Sequence, residues 1–542
     1  MTRIYAPRPS FREKPRFNRA ARRDYAMIAR VESYALFGLE GVPVTVEADI
    51  SKGIPSFDMV GLPDAAVKES RERVKSAVKN SGLLFPNHKI TVNYAPAYVK
   101  KEGSALDLAT AVSLLKGEGV LQADTDGIIF LGELALNGDL RPVRGVLPAV
   151  ISAREKGYKT FIVPEGNEKE AGYVGGVTVY AAKNLRAVVD HLSALSLLSP
   201  VQSEPFRSGG DSPFNGETER GVSPHDLSFV KGQDVAKRAL EVAVAGGHNI
   251  LFVGPPGSGK TMLARSIPTV LPDLSFDEAL EITKIHSVAG TLGESGIVTE
   301  RPFRTPHHTA TTVSLCGGGN KTVHPGEISL AHGGVLFLDE LPEYKRSTLE
   351  ALRQPLEDGV ITVSRAGGTV TYPASFMLCA SMNPCPCGNY GSSSRQCTCT
   401  PSEIKRYRAR ISGPLLDRID IQVEVDGVTY DDLSGGGSGE TSAEVKERTD
   451  RARSIQRERY AGEHVTTNSE MNENDIKKYC RLSRECDDIL REAFTSLRLS
   501  ARARSRILKV ARTIADLALE EEILPEHILE AVSYRTYGAE EE

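Results

Sequence analysis

The sequence of 542 residues lacks any apolar run long enough to cross a lipid bilayer. Its first residues lack the apolar stretch of a secretory signal, so we expect neither export nor membrane contact. A positive net charge is also missing: the formal charge of −5 argues against a uniformly basic nucleic-acid coat but permits a local basic channel. Cysteine is scarce, and four of the eight residues lie between positions 385 and 399. That clustering disfavours a disulfide framework and predicts a reducing cytoplasm.

The composition and length are those of a protein with several globular domains. Apolar residues make up 40% and charged residues 25% of the chain, and the length corresponds to about three or four domains. Eight Lys and Arg residues without an apolar period predict a disordered basic tail at the start. The predicted segments are the tail (1–25), an α/β domain (26–198), a linker (199–225), a core domain (226–430), a flexible loop (431–442) and a helical domain (443–542).

Short segments of the first domain carry secondary-structure signals. Patterns of apolar residues predict strands at 42–50, 90–94 and 160–163. Asp64 predicts the N-cap of a helix that Gly82 ends. Asn137 and Gly138 predict a β-hairpin with a two-residue turn. Because strands and helices alternate, we predict an α/β fold for this domain.

The core domain opens with a strand, a glycine-rich loop and a helix start, in that order. Apolar residues 250–253 predict a buried strand, and residues 262–267 predict a helix. The loop between them matches G-x-x-x-x-G-K-S/T and consists of Gly254, Pro255, Pro256, Gly257, Ser258, Gly259, Lys260 and Thr261. Backbone amides at the helix start would surround phosphates, Lys260 would reach the β- and γ-phosphates, and Thr261 would bind Mg²⁺. The context favours nucleotide binding over an ordinary glycine-rich turn.

Two further apolar strands end in polar residues that suit the same chemistry. Residues 335–338 are followed by Asp339 and Glu340, and residues 376–381 by Asn383. Asp339 is predicted to hold Mg²⁺ through water, Glu340 to act as general base on the attacking water, and Asn383 to orient that water or sense the γ-phosphate. Each of these residues alone would be interpreted as a plain strand end or loop residue. After a phosphate-binding loop, the functional interpretation is favoured.

Several arginines are candidates for contact with phosphate. Arg418 is predicted to complete a neighbouring subunit's site as an arginine finger, and an ion pair with Asp417 or Asp420 is the alternative. A predicted helix starts at three closely spaced arginines, Arg502, Arg504 and Arg506. One of them is a candidate for the γ-phosphate, and ordinary exposed helix charges are the alternative.

Four cysteines form two C-x-C pairs: Cys385, Cys387, Cys397 and Cys399. Thiolates bind Zn²⁺ tetrahedrally, and sites with four cysteines are usually structural. Paired ligands are usually separated by two to four residues, so the spacing here departs from the common pattern. The segment between the pairs is rich in Gly and Ser, and a metal would help to order it. We predict a zinc site, with free thiols as the alternative.

Further motifs accompany the phosphate-binding loop and the Asp-Glu strand. They are VKGQ (230–233), RPFRTPHH (301–308), PGEISLAH (325–332), NPCPCG (383–388) and SGPLLDR (412–418). Together these elements resemble the magnesium-chelatase-like AAA+ ATPases, and most of all their YifB/ComM branch, over residues 26–538. The resemblance implies an α/β P-loop AAA+ core with a C-terminal helical lid, and ATP and Mg²⁺ as cofactors.

The same resemblance implies roles and partners. It implies a homo-hexameric ring with active sites between subunits, Asn383 as sensor 1, Arg418 as the finger and Arg502 as sensor 2. ComM-type members resemble DNA helicases that drive branch migration during natural transformation, which makes single-stranded or branched DNA the expected partner. The alternative is a chelatase-like chaperone that remodels a protein.

Two insertions would supply a surface for DNA. Residues 360–372 alternate as a β-hairpin with Arg365 near its tip, and in similar rings such a hairpin points into the pore. Arg365 would bind phosphate oxygens without reading the base sequence. The second insertion (290–324) carries Arg301, Arg304 and Lys321. Contact with a protein chain is the alternative for both insertions.

The first domain carries peptidase motifs without the catalytic residues. Segments 101–106 and 132–147 resemble the Lon peptidase domain, whose members use a serine–lysine dyad. The aligned positions hold Ala105 and Leu147, which offer neither a hydroxyl group nor a proton acceptor. Ser104 lies one place away, a rotation of about 100° on a helix. We predict a Lon-peptidase-like α/β scaffold without peptidase activity.

Overall fold

The computed structural model of the chain describes residues 28–99, 101, 103–202, 205–208, 223–319, 323–365, 368–391, 395–427, 439–497 and 499–535. The predicted basic tail and large parts of the predicted linker and flexible loop lie outside these ranges. The backbone of Arg365 is described, but its side chain lies outside the described part. None of the helices in the described ranges combines the length and the apolar character that crossing a bilayer requires.

The first domain is built on a mixed sheet. Its strands are β1 (Ala29–Phe37), β2 (Glu40–Ser51), β3 (Ser56–Val60), β4 (Lys89–Ala95), β5 (Ile128–Phe130), β6 (Glu133–Leu134), β7 (Leu140–Arg141), β8 (Thr160–Pro164) and β9 (Thr178–Ala182). Its helices are α1 (Ala65–Asn80), α2 (Asp107–Gly117), α3 (Val146–Glu155), α4 (Glu168–Gly172) and α5 (Leu185–Leu192). The main sheet has the order β3-β4-β2-β1-β5-β8-β9; β2 pairs antiparallel with β1 and β4, and the other neighbours pair parallel. The predicted α/β fold is confirmed.

Local signals explain where some of these elements begin and turn. The side chain of Asp64 accepts a hydrogen bond at 2.8 Å from a first-turn amide and so caps α1, as predicted. The hairpin of β6 and β7 also forms, but the predicted two-residue turn is wrong. The Ala135 amide bonds to the Asp139 carbonyl at 2.8 Å, which encloses three residues (136–138). Gly138 takes φ +94°, a left-handed conformation that closes such a longer loop.

The core domain contains a parallel sheet with the glycine-rich loop at its centre. Its strands are β10 (Ile250–Val253), β11 (Phe303–Arg304), β12 (Gly317–Gly318), β13 (His324–Pro325), β14 (Val335–Leu338), β15 (Val360–Arg365), β16 (Gly368–Pro373), β17 (Met377–Met382) and β18 (Ile421–Glu424). Its helices are α6 (Asp234–Gly246), α7 (Lys260–Val270), α8 (Phe276–Ala289), α9 (Thr312–Cys316), α10 (Glu327–Leu330), α11 (Arg346–Glu350), α12 (Pro355–Asp358), α13 (Pro401–Arg408) and α14 (Gly413–Leu416).

The strand order of this sheet positions the loop. The order is β11-β14-β17-β10-β18, and all neighbours are parallel. After β10, the chain forms three strands on one side and then returns to β18 on the other side. The chain connections on the two sides of β10 therefore run in opposite directions, which makes this position a topological switch point. Parallel sheets bind ligands at the carboxyl end of such a switch point, which is where residues 254–259 lie.

The sequence predicts tail helices at 443–460, 473–482, 485–497, 502–519 and 525–534; helices form at these places and pack closely on the core domain. They are α15 (Ser442–Arg459), α16 (Glu473–Tyr479), α17 (Arg484–Ser496), α18 (Ala501–Leu517) and α19 (Pro525–Ser533). Val445 of α15 and Ile507 of α18 share one buried apolar cluster with Val244 of α6 and Ile250 of β10. The helical domain and the core domain therefore bury a common apolar cluster.

The first domain contacts the core domain through α3, α8 and the hairpin of β15 and β16. The Gly145 amide, at the start of α3, donates to the Ser287 carbonyl of α8 at 3.2 Å. The Ser287 hydroxyl donates to the buried carboxylate of Glu170 at 2.6 Å. Between β1 and β2, Gly38 lies so close to the hairpin that a Cβ there would be 2.5 Å from Val370. The first domain is thus fixed against both the core domain and the hairpin.

Candidate nucleotide-binding site

The glycine-rich loop lies between the end of β10 and the start of α7. A Cβ at Gly254 would lie 2.1 Å from the Val425 carbonyl oxygen, so no side chain fits there. Gly259 has φ +92°, a left-handed conformation that glycine adopts without strain. The loop leads directly into the first turn of α7, which begins at Lys260. The unpaired amides and partial positive charge of a helix start suit a phosphate anion.

Lys260 is held over the loop by the loop's own carbonyl groups. Its Nζ donates to the carbonyls of Gly254 at 2.7 Å and Pro255 at 2.8 Å. The side-chain Oδ1 of Asn383, which follows β17, accepts a hydrogen bond from the same Nζ at 3.4 Å. The fold therefore brings together two predicted site residues that are distant in the chain.

Thr261 and Asp339 form an oxygen pair that suits Mg²⁺. The Thr261 hydroxyl donates to Asp339 Oδ2 at 3.1 Å. The other carboxylate oxygen accepts from the Glu340 amide at 3.0 Å and from the Ser381 hydroxyl. These bonds orient Asp339, and a carboxylate beside a hydroxyl fits a hard cation that prefers oxygen ligands. Ser381 carries no sequence signal of its own, because it is one residue of a buried strand.

Glu340 has a strained backbone at the end of β14. Its φ of +53° is left-handed, which is costly for a residue with a Cβ and is typical of functional sites. Its side chain is 56% exposed, and Oε2 lies 3.8 Å from His308 Nδ1. An exposed carboxylate beside Thr261 and Asp339 can reach a water molecule, as a general base must. His308 is a further site residue for which the sequence predicts only a structural role, since no Cys or His partner is near it apart from His307.

Gln233 is another residue at this site that sequence reasoning did not assign. It has φ +64°, and its Nε2 donates to the Asp426 carbonyl at 2.7 Å and to the Ser258 carbonyl at 3.4 Å. It thereby links the glycine-rich loop to the segment that follows β18. The VKGQ motif marks this residue in the sequence, but its contacts depend on segments far along the chain.

Arg418 lies at the amino ends of the parallel strands, whereas the glycine-rich loop of the same chain lies at their carboxyl ends. It precedes β18, which runs parallel to β10, so it lies where these strands begin rather than where they end. One guanidinium nitrogen donates to the Pro414 carbonyl at 2.7 Å, and another pairs with Glu357. Among the described residues, the ion-pair partner is therefore Glu357 instead of the alternatives Asp417 and Asp420.

Arg502 lies beside Arg418 and away from the loop of its own chain. Its side chain is 61% exposed, and Nη2 lies 3.9 Å from Oε1 of Glu357. Arg506, on the same face of α18, pairs with the buried carboxylate of Asp420. Arg506 thus connects the lid to the core, whereas Arg502 approaches the same Glu357 carboxylate that pairs with the buried Arg418.

The four clustered cysteines converge in space. Their Sγ atoms all lie within 4.8 Å of one another. Three of the separations are 3.4 Å (Cys385 to Cys387), 3.7 Å (Cys385 to Cys397) and 3.6 Å (Cys387 to Cys397). A tetrahedron with Zn–S bonds of about 2.3 Å has edges of about 3.8 Å between sulfurs. The donor set therefore fits Zn²⁺ despite the short C-x-C spacing.

The hairpin predicted at 360–372 forms from β15 and β16. Its apolar face is buried and includes Ile361 and Tyr372. The exposed face carries hydroxyl pairs, at 3.1 and 3.0 Å, between Thr362 and Thr371 and between Ser364 and Thr369. Arg365 ends β15 next to the turn. Hydroxyl groups donate readily to phosphate oxygens, so the exposed face suits a nucleic-acid backbone.

Two arginines of the second insertion bind within the chain. Arg301 donates to Glu278 at 2.8 Å and to backbone carbonyls on two other segments. Arg304 makes two bonds to the Glu327 carboxylate, at 2.7 and 3.0 Å. Lys321 lies outside the described residues. Both guanidinium groups are therefore paired within the core domain, and their contact with DNA stays a prediction.

The peptidase-like region shows no serine–lysine pair among its described residues. Leu147 is fully buried in α3, and Ala105 precedes α2. Ser104 also precedes α2, and its hydroxyl donates to Glu133. The Nζ of Lys101 donates to a backbone carbonyl. Both polar side chains are thus bonded within the domain, and the absence of peptidase activity stays a prediction.

Three parts of the chain match known protein families, and relatives match nearly all of it. Residues 226–433 match magnesium chelatase subunit ChlI, residues 46–167 match subunit ChlI of Mg-chelatase, and residues 439–535 match the ChlI C-terminal region. YifB of Escherichia coli K12 is 44% identical over 507 residues, 93% of this chain and 96% of YifB. Competence protein ComM of Haemophilus influenzae is 43% identical over 511 residues, 94% of this chain and 97% of ComM. Lon protease 2 of Bacillus subtilis is 25% identical over 161 residues, 28% of each chain.

Proposed function

Because this chain belongs to the YifB/ComM family of magnesium-chelatase-like AAA+ ATPases, we propose that it is an ATP-hydrolysing ring motor that acts on DNA. The proposal rests on one observation: within a single chain, two sets of charged side chains lie at opposite ends of the parallel strands. Lys260, Asp339 and Glu340 lie at the carboxyl edge of the parallel sheet. Arg418 lies at its amino edge. A site with all of these groups requires a second copy of the chain.

Each residue of the carboxyl edge has a role in hydrolysis. Lys260 exchanges its loop carbonyls for oxygens of the β- and γ-phosphates. Thr261 and Asp339 hold Mg²⁺, which neutralises phosphate charge when bound. Glu340 takes a proton from the attacking water. Asn383, 3.4 Å from the Lys260 amine, orients that water or senses the γ-phosphate.

A ring would form if the carboxyl edge of the sheet in one chain met the amino edge of the sheet in a neighbouring chain. Arg418 and Arg502 converge on the single carboxylate of Glu357. Guanidinium groups bind phosphate as well as carboxylate, so a neighbour's γ-phosphate is a suitable second acceptor for both. Contact between two different edges is head-to-tail, and six copies that close on themselves would form a hexamer.

DNA is the proposed track of the motor. The hairpin of β15 and β16 offers an exposed hydroxyl face and ends at Arg365. The similarity to a protein named for competence supports a nucleic-acid partner. We therefore propose that the motor binds single-stranded or branched DNA and drives branch migration. It would do so in the cytoplasm, during natural transformation and recombination.

We also propose that Cys385, Cys387, Cys397 and Cys399 hold one structural Zn²⁺. All four sulfurs lie within 4.8 Å of one another, and three of their separations match the edges of a tetrahedral thiolate site. Thiolates of this kind persist in a reducing cytoplasm, where disulfides are rare.

The proposed function is tested by phosphate release with and without single-stranded or forked DNA. DNA should stimulate hydrolysis and bind less tightly as salt rises, since phosphate contacts release counterions. Arg365→Ala should weaken binding to all sequences alike and lower the slope against log salt by about one. Arg491→Ala, a matched change at an exposed lid arginine, should have no such effect. If DNA neither binds nor stimulates and Arg365→Ala changes nothing, the chaperone that remodels a protein is favoured instead.

The affinity for ATP should fall above about pH 8 because of Lys260. Burial lowers the pKa of its amine to about 8 from the usual 10.5, against attraction from Asp339 and Glu340. Below that pKa the amine already carries its charge. Above it, binding must add a proton, so the affinity falls by up to about tenfold per pH unit.

Titration of the nucleotide-free protein with ATP at about pH 7 and about pH 9 checks this linkage. Lys260→Arg, whose charge persists across that range, should bind with a flatter pH profile. An equal affinity of the unchanged protein at both pH values would contradict the prediction.

A further inference from the structure

The segment that carries the four clustered cysteines (described residues 385–391 and 395–399, the cysteine loop) packs directly against the glycine-rich loop. A Cβ on Gly388 would lie 2.5 Å from Cδ and 2.8 Å from Cγ of Pro256, a residue of the glycine-rich loop. Gly388 has φ +80°, and its amide donates to the Cys385 carbonyl at 3.0 Å. The first cysteine pair therefore sets the position of Gly388. At Gly388 the backbone of one loop lies directly against the ring of Pro256 in the other.

The same cysteine loop is continuous with Asn383. Cys385 follows Asn383 by two residues, and its side chain is buried. The Tyr390 amide donates to Cys385 Sγ at 3.3 Å, which turns the chain back around the sulfur. Asn383 in turn accepts from the Lys260 amine at 3.4 Å. Cys385 is thus connected to the glycine-rich loop in two ways, through Gly388 to Pro256 and through Asn383 to Lys260.

A cation would keep these sulfurs together. A second backbone amide, that of Cys387, donates to Cys399 Sγ at 3.4 Å. Four thiolates within 4.8 Å of one another repel unless a metal ion lies between them. The segment between the pairs is rich in Gly and Ser, so a bound metal would help to order it.

We propose that the zinc site supports the nucleotide-binding loop, so that the affinity for ATP depends on bound Zn²⁺. The metal keeps Gly388 against Pro256 and Asn383 beside Lys260. This inference rests on the proposed function, which assigns ATP to the loop and zinc to the cysteines, and adds that the two binding events are coupled. Coupling between sites is reciprocal, so ATP must strengthen zinc binding by the same factor.

Two glycine variants test the contact between the loops. Gly388→Ala adds a Cβ that meets Pro256. Gly391→Ala adds one at a similar backbone conformation, φ +75°, with nothing within 4 Å. Backbone strain is therefore matched, and only the contact differs. Both variants should retain one zinc per chain by elemental analysis, but Gly388→Ala should bind ATP about tenfold more weakly, an ordinary size for coupling between sites.

A second measurement uses the unchanged protein and does not depend on the folding of a variant. Extraction of zinc with a zinc-selective chelator should lower the affinity for Mg²⁺–ATP, and added Zn²⁺ should restore it. A non-hydrolysable ATP analogue should raise the chelator concentration needed to extract zinc by the same factor.

The outcomes separate the inference from the proposals beneath it. Protein that holds no zinc, even after Zn²⁺ is added, would refute the zinc site. Zinc-loaded protein that binds no ATP would refute the proposed function. If zinc and ATP both bind, but chelation and Gly388→Ala leave the affinity for ATP unchanged, the coupling is overturned while both sites stand.

Discussion

Replacing Glu340 by glutamine is expected to stop ATP hydrolysis and to leave ATP binding nearly unchanged. Glutamine keeps the size of the side chain but cannot accept a proton from water, and loss of a general base slows a reaction by about 10²- to 10⁴-fold. The side chain is 56% exposed, so the substitution leaves no buried charge unpaired. Phosphate release and equilibrium binding of ATP, measured on the same preparation, separate the two steps.

Glu343→Gln is the matched control for this prediction. Glu343 is three residues further along, and its carboxylate pairs with Arg410 at 2.9 Å on the surface. Surface ion pairs contribute little, so this variant should hydrolyse ATP at the normal rate. Normal turnover by Glu340→Gln would mean that another group is the base. Loss of ATP binding in that variant would instead indicate a structural role for Glu340.

Replacing Arg418 by alanine should reduce hydrolysis by about 10³- to 10⁵-fold, the usual contribution of an arginine finger. Binding of ATP should persist, because Arg418 lies across the sheet from the loop of its own chain. The lost interaction is therefore with the nucleotide of a neighbouring subunit. The rate of ATP hydrolysis, measured over a range of protein concentrations, should stay low even at concentrations at which rings form.

A mixture of two inactive variants tests whether Arg418 acts between chains. Lys260→Ala lacks the phosphate-binding amine but keeps Arg418, and Arg418→Ala has the reverse defect. In a mixed ring, an intact loop can lie beside an intact arginine, so hydrolysis should partly recover. No recovery, in rings shown to contain both variants, would mean that Arg418 acts within its own chain.

Glu357→Gln controls for loss of the ion pair that Arg418 makes within its chain. The substitution removes the charge that pairs with Arg418 but keeps the guanidinium group. Hydrolysis should therefore be retained. If Glu357→Gln is as inactive as Arg418→Ala, the ion pair is structural and the finger role is wrong.

Much of the fold could be predicted because short-range geometry decides it. Asp64 caps α1 through an amide in the next turn, so the residues that matter are neighbours in sequence. β10 and β14 coincide with the apolar runs 250–253 and 335–338, because strands buried on both faces are apolar throughout. The tail helices follow from their apolar periodicity and their cap residues.

Other features could not be predicted because they join distant segments. Glu357 has no sequence feature that marks it as the partner of Arg418. Arg301 and Arg304 look like surface charges in the sequence, yet carboxylates elsewhere in the core domain neutralise them. The contact of Gly388 with Pro256 joins two loops whose sequences give no sign of meeting.

The sequence by itself determined which chemical groups are available: a phosphate-binding loop, two carboxylates after a strand, an arginine before another strand and four paired thiols. Residue type and local spacing are enough to specify these groups. Only the tertiary structure decided which groups meet. The strand order of the parallel sheet sends Lys260 and Asp339 to the carboxyl edge and Arg418 to the amino edge. Since that order arises from long-range packing, no local pattern could reveal that these groups lie at opposite ends of the strands.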